Sequence, residues 1–385
     1  MLYGYLYDQS LTSPALVRRL GTLSGLRILF ELPGGVQAIE FDFGASEAEA
    51  YFFYESYVGY RVVVLDGIAD KPVAEGWIYG VALSQVGCKV LCKGAWYRHF
   101  DEFDDTDYPM AQTSSSVLKA SLTNFVPVSN SDQTNVAETS FTLGTLGQTW
   151  DFSQYGLFPG DLIIKLASMS DAALSQWNYW MQSAPFNATT PQKPLSYFVA
   201  QVDDGTVNWQ IQKRDMAASS GLTMERNIDE LGNNITVIYR DISNSEQAIT
   251  AWSADTDSQA SFWLREIVLS GGEMTTDGAT QYRDLMLSKL KQPLFKRAFT
   301  ISSREIMDGY GYKWPLWQVI KNCGGYMRIN DLYPSADMFT NSLDGKRSGQ
   351  IMTAEYDDTN YTLRISLDTQ DDSTSAILAQ MEAAL

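Results

Sequence analysis

Short β-type segments separated by glycine and proline fill the first hundred residues, and they restrict that part of the chain to a meandering β-structure. RVVVLDG, EGWIYGVALSQ and GCKVLCKGAWYR follow one another from Arg61 to Arg98, each rich in β-branched or aromatic residues. Upstream, LRILFELPGGVQAIEFDF indicates two strands around a Pro-Gly-Gly turn, because glycine accepts the backbone angles of a tight reversal. These patterns predict a β-domain that ends near the acidic run from Asp101 to Asp107.

The middle of the chain adds helical patterns. SDAALSQWNYWMQ, with Leu174, Trp177 and Met181 on one stripe, predicts a helix that buries its aromatic residues against a sheet. TTDGATQYRDLMLSKLKQP predicts a second helix, capped by Thr275 or Thr276 and ended by a proline. Its apolar face consists of Tyr282, Leu285, Met286 and Leu290. EAEAYFFYESYVGY, which lies earlier in the chain, fits either a helix or a strand.

Strand patterns surround these helices. LSYFVAQV, VNWQIQKR and NNITVIYRD predict strands, while GQIMTAEYDDTNYTLRISLD predicts a hairpin and STSAILAQMEAAL a short closing helix. No alternating βαβ series suggests a nucleotide-binding sheet. The sequence therefore predicts a mainly β fold with an α+β middle, divided into residues 1–110, 111–300 and 301–385.

The segment KWPLWQVIKNCGGYMRINDLYP holds two tryptophans, a thiol, an arginine and an aspartate, which makes it the first place to look for a reaction site. Its proline, its glycine pair and its period-two alternation instead predict a strand, a glycine turn and a second strand, with the thiol of Cys323 structural. Together with two positions in earlier strands, the pattern assigns structural framework roles to Trp77, Tyr239, Trp317, Val319, Gly324, Gly325, Met327 and Ile329.

Residues that carry chemistry are sparse. His99 is the single histidine, so every His-based nucleophile or metal constellation depends on it, and a solvated or core-edge histidine is the favoured interpretation. The chain has no phosphate-binding loop, no dinucleotide fingerprint, no HExxH and no CxxC. The run from Asp101 to Asp107 could ligate calcium, but it lacks the glycine and terminal glutamate of an EF-hand, which favours a solvated turn. No catalytic, cofactor-binding or metal-ligating residue is assigned.

The charge balance, 28 basic against 46 acidic residues and a formal net charge of -18, opposes specific DNA reading because such a surface repels phosphates. Some basic residues cluster on and after the second predicted helix, where a solvated helix face is favoured over a phosphate-binding patch. These are Arg283, Lys289, Lys291, Lys296 and Arg297.

Cysteine usage and hydropathy set the remaining limits. Three cysteines are an odd count, and Cys88 and Cys92 on one strand would lie roughly 13 Å apart, too far for a disulfide. The first residues show no pattern of a signal peptide, and no apolar run approaches the ~18 residues of a membrane span. The sequence predicts a protein that is made and kept in a cytoplasm until it joins an assembly.

Four motifs, weak individually, occur in an order and spacing that resemble the baseplate or tail-tip hub proteins of tailed bacteriophages. The resemblance runs from about residue 27 to the end, and the last motif departs from the family pattern in its longer approach to the glycine turn. The motifs are AEGWIYGV (residues 74–81), NNITVIYRD (233–241), SFWLREIVLSGGEMT (261–275) and WQVIKNCGGYMRINDL (317–332).

This resemblance implies a ring-forming homotrimer in which two tail-tube-like β-barrel domains flank the α+β region. It implies a virion protein, made in the host cytoplasm, that joins the distal tail or tail tube protein to a spike- or fibre-bearing baseplate protein. A tape measure protein is a further candidate partner, and DNA would pass through the ring without specific binding. The family is structural, so the resemblance carries no catalytic residue.

Two alternatives stay open at the level of sequence. A distal tail ring protein would share much of the β-rich pattern but would assemble as a hexamer. A β-rich carbohydrate-binding or carbohydrate-hydrolysing virion protein is favoured by the 10 tryptophans and 21 tyrosines, whose rings can stack on sugars. Aromatic residues in a large β-protein are more often core and interface residues, which favours the structural hub.

Overall fold

The structure is a computed structural model, and it describes residues 1–9, 14–44, 46–67, 71–84, 87–100, 158–168, 177–183, 194–200, 207–216, 223–229, 231–241, 243–291, 294–321, 325–330 and 348–367. The N-terminal elements are β1 (Leu2–Tyr7), β2 (Leu16–Thr22), β3 (Ser24–Glu31), β4 (Gly34–Phe43), α1 (Glu47–Ser56), β5 (Arg61–Asp66), β6 (Pro72–Ser84), β7 (Gly87–Gly94) and a 3-10 turn (Ala95–Phe100).

The middle elements are α2 (Pro159–Ser168), β8 (Trp177–Gln182), β9 (Leu195–Ala200), β10 (Trp209–Gln212), a 3-10 turn (Lys213–Asp215), β11 (Thr223–Asn227), β12 (Asn234–Asp241), β13 (Gln247–Ile249), β14 (Ser253–Ala254), α3 (Thr256–Phe262), β15 (Glu266–Met274) and α4 (Thr276–Leu290). The C-terminal elements are β16 (Leu294–Ser302), β17 (Glu305–Asp308), β18 (Lys313–Pro315), α5 (Gln318–Lys321), β19 (Tyr326–Asn330), β20 (Ser348–Asp357) and β21 (Thr362–Leu367).

One main sheet contains strands from both ends of the chain. Its strands follow the order β2, β1, β5, β6, β7, β4, β3, β20, β21, β16 and β11, each antiparallel to the next. Strands β8 and β9 extend from β4, and strands β19, β10, β17 and β18 extend from β20. The sheet curls into a half-barrel, and the expected mainly β class is confirmed.

The main core lies on one face of this sheet. Ile28 and Phe30 of β3 belong to it with Ala354 and Tyr356 of β20, and Phe53 of α1 is part of the same cluster. The alternating burial along β3 follows from the two-residue period of a strand, which turns every second side chain toward the core. Strand pairing thus joins the predicted first and third segments, while the boundaries near residues 110 and 300 stay predictions.

A separate small sheet forms from a contiguous part of the middle region. Strand β12 lies at its centre, with β13 and β14 along one side and the parallel strand β15 along the other. Helix α4 packs on one face and buries Tyr282, Leu285, Met286 and Leu290, as the helical pattern predicts. Thr275 caps this helix, because its side chain accepts a hydrogen bond from the backbone N–H of Gly278 at 3.0 Å.

The turn between β3 and β4 matches its prediction. Gly34 and Gly35 have φ values of 126° and 102°, in a region that residues with a Cβ rarely adopt. The segment that fitted either helix or strand forms helix α1, which begins with a capping box between Ser46 and Glu49. Strand pairing, therefore, does not continue through this aromatic segment.

The helix predicted over SDAALSQWNYWMQ is wrong for its described part, since Trp177–Gln182 is strand β8. This strand pairs residue by residue with β9, and the side chains of Tyr179 and Met181 are buried. Aromatic residues favour strands where a partner strand supplies packing, so tertiary pairing overrides the helical spacing. The helix of this region is α2, which begins with Pro159 at the first helical position and has Asp161 in its first turn.

The strand predicted around Trp317 and Val319 is also wrong. The backbone N–H of Val319 donates to the carbonyl of Leu316 at 3.1 Å, and that of Ile320 donates to Trp317 at 3.1 Å. These three-residue closures form a helical turn that continues into α5. A period-two pattern of only two residues does not distinguish a strand from such a turn. The closing helix predicted over STSAILAQMEAAL lies outside the described residues.

Candidate functional site

The tryptophan-rich stretch after β18 is buried. Trp317 is 5% exposed, and Val319, Met327 and Ile329 are at most 1% exposed and belong to the main core. Strand β19 alternates as expected, and it runs parallel to β10 with Ile329 beside Ile211. These side chains pack in the core, while their role as framework of a ring stays a prediction.

The glycine next to β19 closely approaches the side chain of Asn208, whereas the sequence predicted a glycine turn with positive φ. Its φ lies outside the positive range, and an added Cβ at Gly325 would lie 3.0 Å from Oδ1 of Asn208. That oxygen accepts a hydrogen bond from the backbone N–H of Tyr326 at 2.7 Å. Gly325 therefore lets Asn208 bind the start of β19. Gly324 and Cys323 lie outside the described residues.

Trp77 lies on the sheet face opposite the main core, where it covers a buried ion pair. Nη2 of Arg61 donates to Oε2 of Glu75 at 2.7 Å, and both side chains are almost fully buried. The Arg61 guanidinium lies 5.7 Å from the Trp77 ring centroid, and that of Arg98 lies 5.9 Å from it. Burial raises the pKa of Glu75, although Arg61 acts in the opposite direction.

The Arg61–Glu75 pair is not marked by any motif in the sequence. The two residues lie on neighbouring strands β5 and β6, and each is embedded in a hydrophobic run that predicts a strand. A buried charge pair contributes little net stability, but removing one partner leaves an uncompensated charge. The pair is therefore a structural element that ties β5 to β6.

Tyr239 is buried against helix α4 in the small sheet. It shares a cluster with Ile235, Val237 and Met286, which agrees with the alternation along β12. Its hydroxyl donates to Oγ1 of Thr276 at 3.1 Å, at the first turn of α4. The ring and its hydroxyl together attach the helix to the sheet.

His99 is fully buried in the 3-10 turn that follows β7, so the solvated alternative of its interpretation is wrong and the core-edge alternative remains. Its Nε2 lies 2.9 Å from the hydroxyl of Tyr179 and 3.1 Å from Sδ of Met181. Within the described residues, Nδ1 has no hydrogen-bond partner. Burial lowers the pKa of His99 to about 3, so the ring is neutral at physiological pH. Because Tyr179 and Met181 both belong to β8, these contacts attach the turn to that strand.

The two cysteines of β7 lie on one strand, as the sequence pattern favours. Cys88 and Cys92 are both free and buried on the core side of the strand. Burial raises the pKa of Cys92, which opposes formation of a reactive thiolate. Neither residue is placed to act as a nucleophile.

The basic residues of helix α4 contact acidic groups of the protein itself. Arg283 binds the carboxylate of Asp284 at 2.7 Å, and Lys291 binds that of Asp255 at 3.0 Å. Lys289 is buried, which corrects its expected place on a solvated face. The side chains of Lys296 and Arg297 lie outside the described set. A phosphate-binding patch receives no support from these contacts.

The acidic run from Asp101 to Asp107 lies outside the described residues, so its ion-binding capacity is untested. Within the described ranges, no group of three or more His, Cys, Asp or Glu residues could hold a metal ion. The described helices include none that is long and apolar enough to cross a membrane.

The hairpin between β17 and β18 presents aromatic rings at the surface. Oδ1 of Asp308 accepts the backbone N–H groups of Tyr310 and Tyr312, each at 2.9 Å, and Oδ2 accepts Nε1–H of Trp314 at 2.9 Å. Tyr310 and Tyr312 project outward, exposed by 92% and 70%. An aspartate that bonds the backbone two residues ahead is a recognisable turn signal, and the sequence analysis did not use it.

The fold has close counterparts among solved structures of phage tail proteins. The 43 kDa tail protein of prophage MuSo2 from Shewanella oneidensis aligns with a TM-score of 0.58 at 13% identity, over 96% of this chain and 99% of that one. A prophage tail protein from Listeria monocytogenes aligns with a TM-score of 0.54 at 10% identity, over 99% and 98%. A tail protein from Neisseria meningitidis aligns with a TM-score of 0.55 at 9% identity, over 98% and 99%.

These similarities confirm the fold expected from the motif order. A scan against protein-family models found no match, and a search of curated proteins found none either. At such low identity the likeness defines the architecture of the chain and leaves its role to be argued from its own residues.

Proposed function

We propose that this chain is a structural hub of a phage tail baseplate or tail tip. In this role it joins the distal tail tube to the spike- or fibre-bearing proteins and encloses the channel through which DNA is ejected. The observation that carries the proposal is the near-complete alignment, in both directions, with tail proteins from three bacterial sources. A chain that matches such proteins from end to end has the whole of their architecture.

The shape of the main sheet supports assembly into a ring. The sheet curls only into a half-barrel. Within the described residues, β2 pairs only with β1 and β11 pairs only with β16, so each of these strands has one open edge. Open strand edges attract pairing and must be covered or blunted in a stable protein. Further copies arranged around a closed symmetry axis would cover such edges, and we propose a homotrimer.

The overall charge is compatible with a DNA channel. At a net charge of -18 the chain disfavours adhesion of a phosphate backbone within a Debye length of ~10 Å. We therefore propose that DNA passes without specific binding. The proposed neighbours are the tail tube or distal tail protein, the spike- or fibre-bearing protein and the tape measure protein, and the proposed location is the virion.

We propose a structural and non-enzymatic role. The groups most often used in hydrolysis have structural contacts here: His99 is buried against Tyr179, Glu75 is paired with Arg61, and Cys88 and Cys92 are buried thiols. The pure protein is expected to leave peptidoglycan and glycans intact. Glycan turnover that an Asp or Glu substitution abolishes would favour the carbohydrate-active alternative.

Electron cryomicroscopy of purified tails tests the role directly. The expected result is three copies of the chain in a ring at the tip of the tail tube, with the sheet edges between copies. Six copies in one ring would favour the distal tail ring alternative. If the chain is missing from purified tails, the proposal is wrong.

A further inference from the structure

Helix α1 carries an exposed stripe of aromatic and acidic side chains. Residues spaced three and four apart lie on one helix face, and here that spacing gives Glu47, Tyr51, Tyr54 and Glu55, all exposed. The Tyr51 and Tyr54 rings lie 6.5 Å apart. We call these four residues the aromatic stripe.

The aromatic stripe is held rigidly. On the opposite side of α1, Ala50 and Phe53 are buried in the main core. The capping box of Ser46 and Glu49 fixes the first turn, and Glu49 binds Arg18 of the neighbouring strand β2 at 2.8 Å. A rigid element loses little conformational entropy when it binds, so an exposed aromatic face on it suits a protein contact.

A second exposed surface has the opposite charge. Nζ of Lys93 lies 3.8 Å from the ring centroid of Tyr79 and 4.5 Å from that of Tyr97. Tyr79 is 67% exposed and Tyr97 is 38% exposed. Neighbouring Lys89 is neutralised by Glu40 at 2.8 Å, whereas Lys93 forms no ion pair within the described residues. We call Tyr79, Lys93 and Tyr97 the lysine–tyrosine patch.

The two surfaces lie on opposite faces of the sheet formed by β6 and β7. Phe53 of α1 packs in the main core with Ile78 and Cys92, which are paired across these strands. Lys93 is the next residue along β7, and successive residues of a strand point to opposite faces. Lys93 therefore points away from α1, so the stripe and the patch of one copy cannot reach each other.

We infer that the aromatic stripe of one copy binds the lysine–tyrosine patch of a second copy. The acidic ends of the stripe complement the ammonium of Lys93, and tyrosine rings are present on both sides of the contact. A contact between two different surfaces is head-to-tail, so repetition builds a closed ring when the rotation between copies allows closure. This inference rests on the proposed role as a ring-forming hub and supplies one contact between its copies, in addition to the proposed covering of the sheet edges.

Charge exchange tests the contact. The wild-type protein should have the mass of several copies. Glu55→Lys and Lys93→Glu should each lower the measured mass toward the 43.0 kDa of a single chain. The two substitutions combined should restore the multi-copy mass, because opposite charges again face each other. Native mass spectrometry and light scattering over a concentration series measure these masses.

Matched controls separate the contact from general surface effects. Lys313→Glu and Tyr310→Ser change an exposed lysine and an exposed tyrosine on the β17–β18 hairpin, and they should leave the mass unchanged. The double variant Tyr51→Ser, Tyr54→Ser removes both rings of the aromatic stripe without changing its charge. It should also lower the measured mass of the assembly. Circular dichroism identifies any variant that fails to fold.

Each outcome bears on a separate statement. If folded Glu55→Lys and Lys93→Glu variants keep the wild-type mass, or if the double variant fails to regain it, the contact is wrong while the hub role stands. A wild type that is a single chain at every concentration also overturns the contact. If the protein is missing from purified tails, the hub role itself is wrong.

Discussion

The main sheet and the small sheet around β12 are held together by different kinds of contact. In the main sheet, Thr353 of β20 pairs with Glu31 of β3, more than three hundred positions earlier in the chain. In the small sheet, β12 pairs with β13 and β15 of the same contiguous segment, and α4 follows directly. The stabilising partners of the small sheet therefore lie within about sixty residues of one another, whereas the main sheet brings together strands from both ends of the chain.

The largest expected effect is at the pairing of β3 with β20, which joins the two ends of the chain and is called the seam below. Phe30→Ala should lower the free energy of unfolding by ~3 to 5 kcal/mol, because the ring is fully buried between β3 and its neighbours and its loss leaves a cavity. Urea unfolding measured by tryptophan fluorescence provides the value. A loss below ~1 kcal/mol would show that the seam contributes less than its burial indicates.

A slightly smaller and more local effect is expected in the small sheet. Met286→Ala should lower the free energy of unfolding by ~2 to 5 kcal/mol, since Met286 is fully buried between α4 and β12. Hydrogen exchange should locate the loss of protection in residues 231–291. Equal loss of protection in β3 and β20 would contradict the separation of the two sheets.

The attachment of the 3-10 turn to the main sheet should depend on pH through His99. Its ordinary pKa is 6.5, and burial lowers the pKa to about 3 in the folded protein. The unfolded chain therefore binds one more proton between these pH values, so stability is complete above pH 6.5 and falls as the pH decreases toward 3. The expected slope is at most ~1.4 kcal/mol per pH unit.

A substitution isolates this contribution from that of the carboxylates. His99→Gln should keep a hydrogen-bonding amide near Tyr179 but remove the titrating group, so its stability should fall less steeply than that of the wild type over the same range. Denaturant midpoints at a series of pH values measure the difference. Parallel curves for both proteins would show that His99 becomes protonated without loss of structure.

The smallest effect concerns the start of helix α4. Thr275→Ala should lower the free energy of unfolding by about 1 kcal/mol, because the backbone N–H of Gly278 would lose the side-chain oxygen that accepts its hydrogen bond. Thr280→Ala is a suitable control, since Thr280 lies in the same helix and its hydroxyl only donates to the carbonyl of Thr276. Equal losses in both variants would argue against a specific capping role.

Buried positions were predictable where a strand pattern was long enough. Alternation assigned the burial of Met327 and Ile329, and helical spacing assigned that of Tyr282 and Met286. Trp317 and Val319 are buried too, but they lie in and beside a helical turn. Burial was thus easier to predict than local geometry, because an apolar residue packs in the core from either conformation.

The candidate surfaces were much less predictable. Tyr51 and Tyr54 belong to a segment that fitted helix or strand equally well, and only the helix places them on one stripe with Glu55. The patch at Lys93 depends on the neighbouring strand β6, which supplies Tyr79. Contacts of this kind join side chains whose spacing in the sequence carries no periodic signal.

The sequence by itself determined the mainly β class, the position of helix α4 with its threonine cap, the glycine turn at Gly34 and Gly35, and the absence of a dinucleotide or P-loop motif. These properties arise from local steric and hydrophobic preferences that act within a few residues. The tertiary structure alone decided that Trp177–Gln182 forms a strand, that His99 is buried against Tyr179, and that β20 lies beside β3. Each of these depends on the free energy of packing against a partner that is distant in the chain, and local sequence preferences contain no information about that partner.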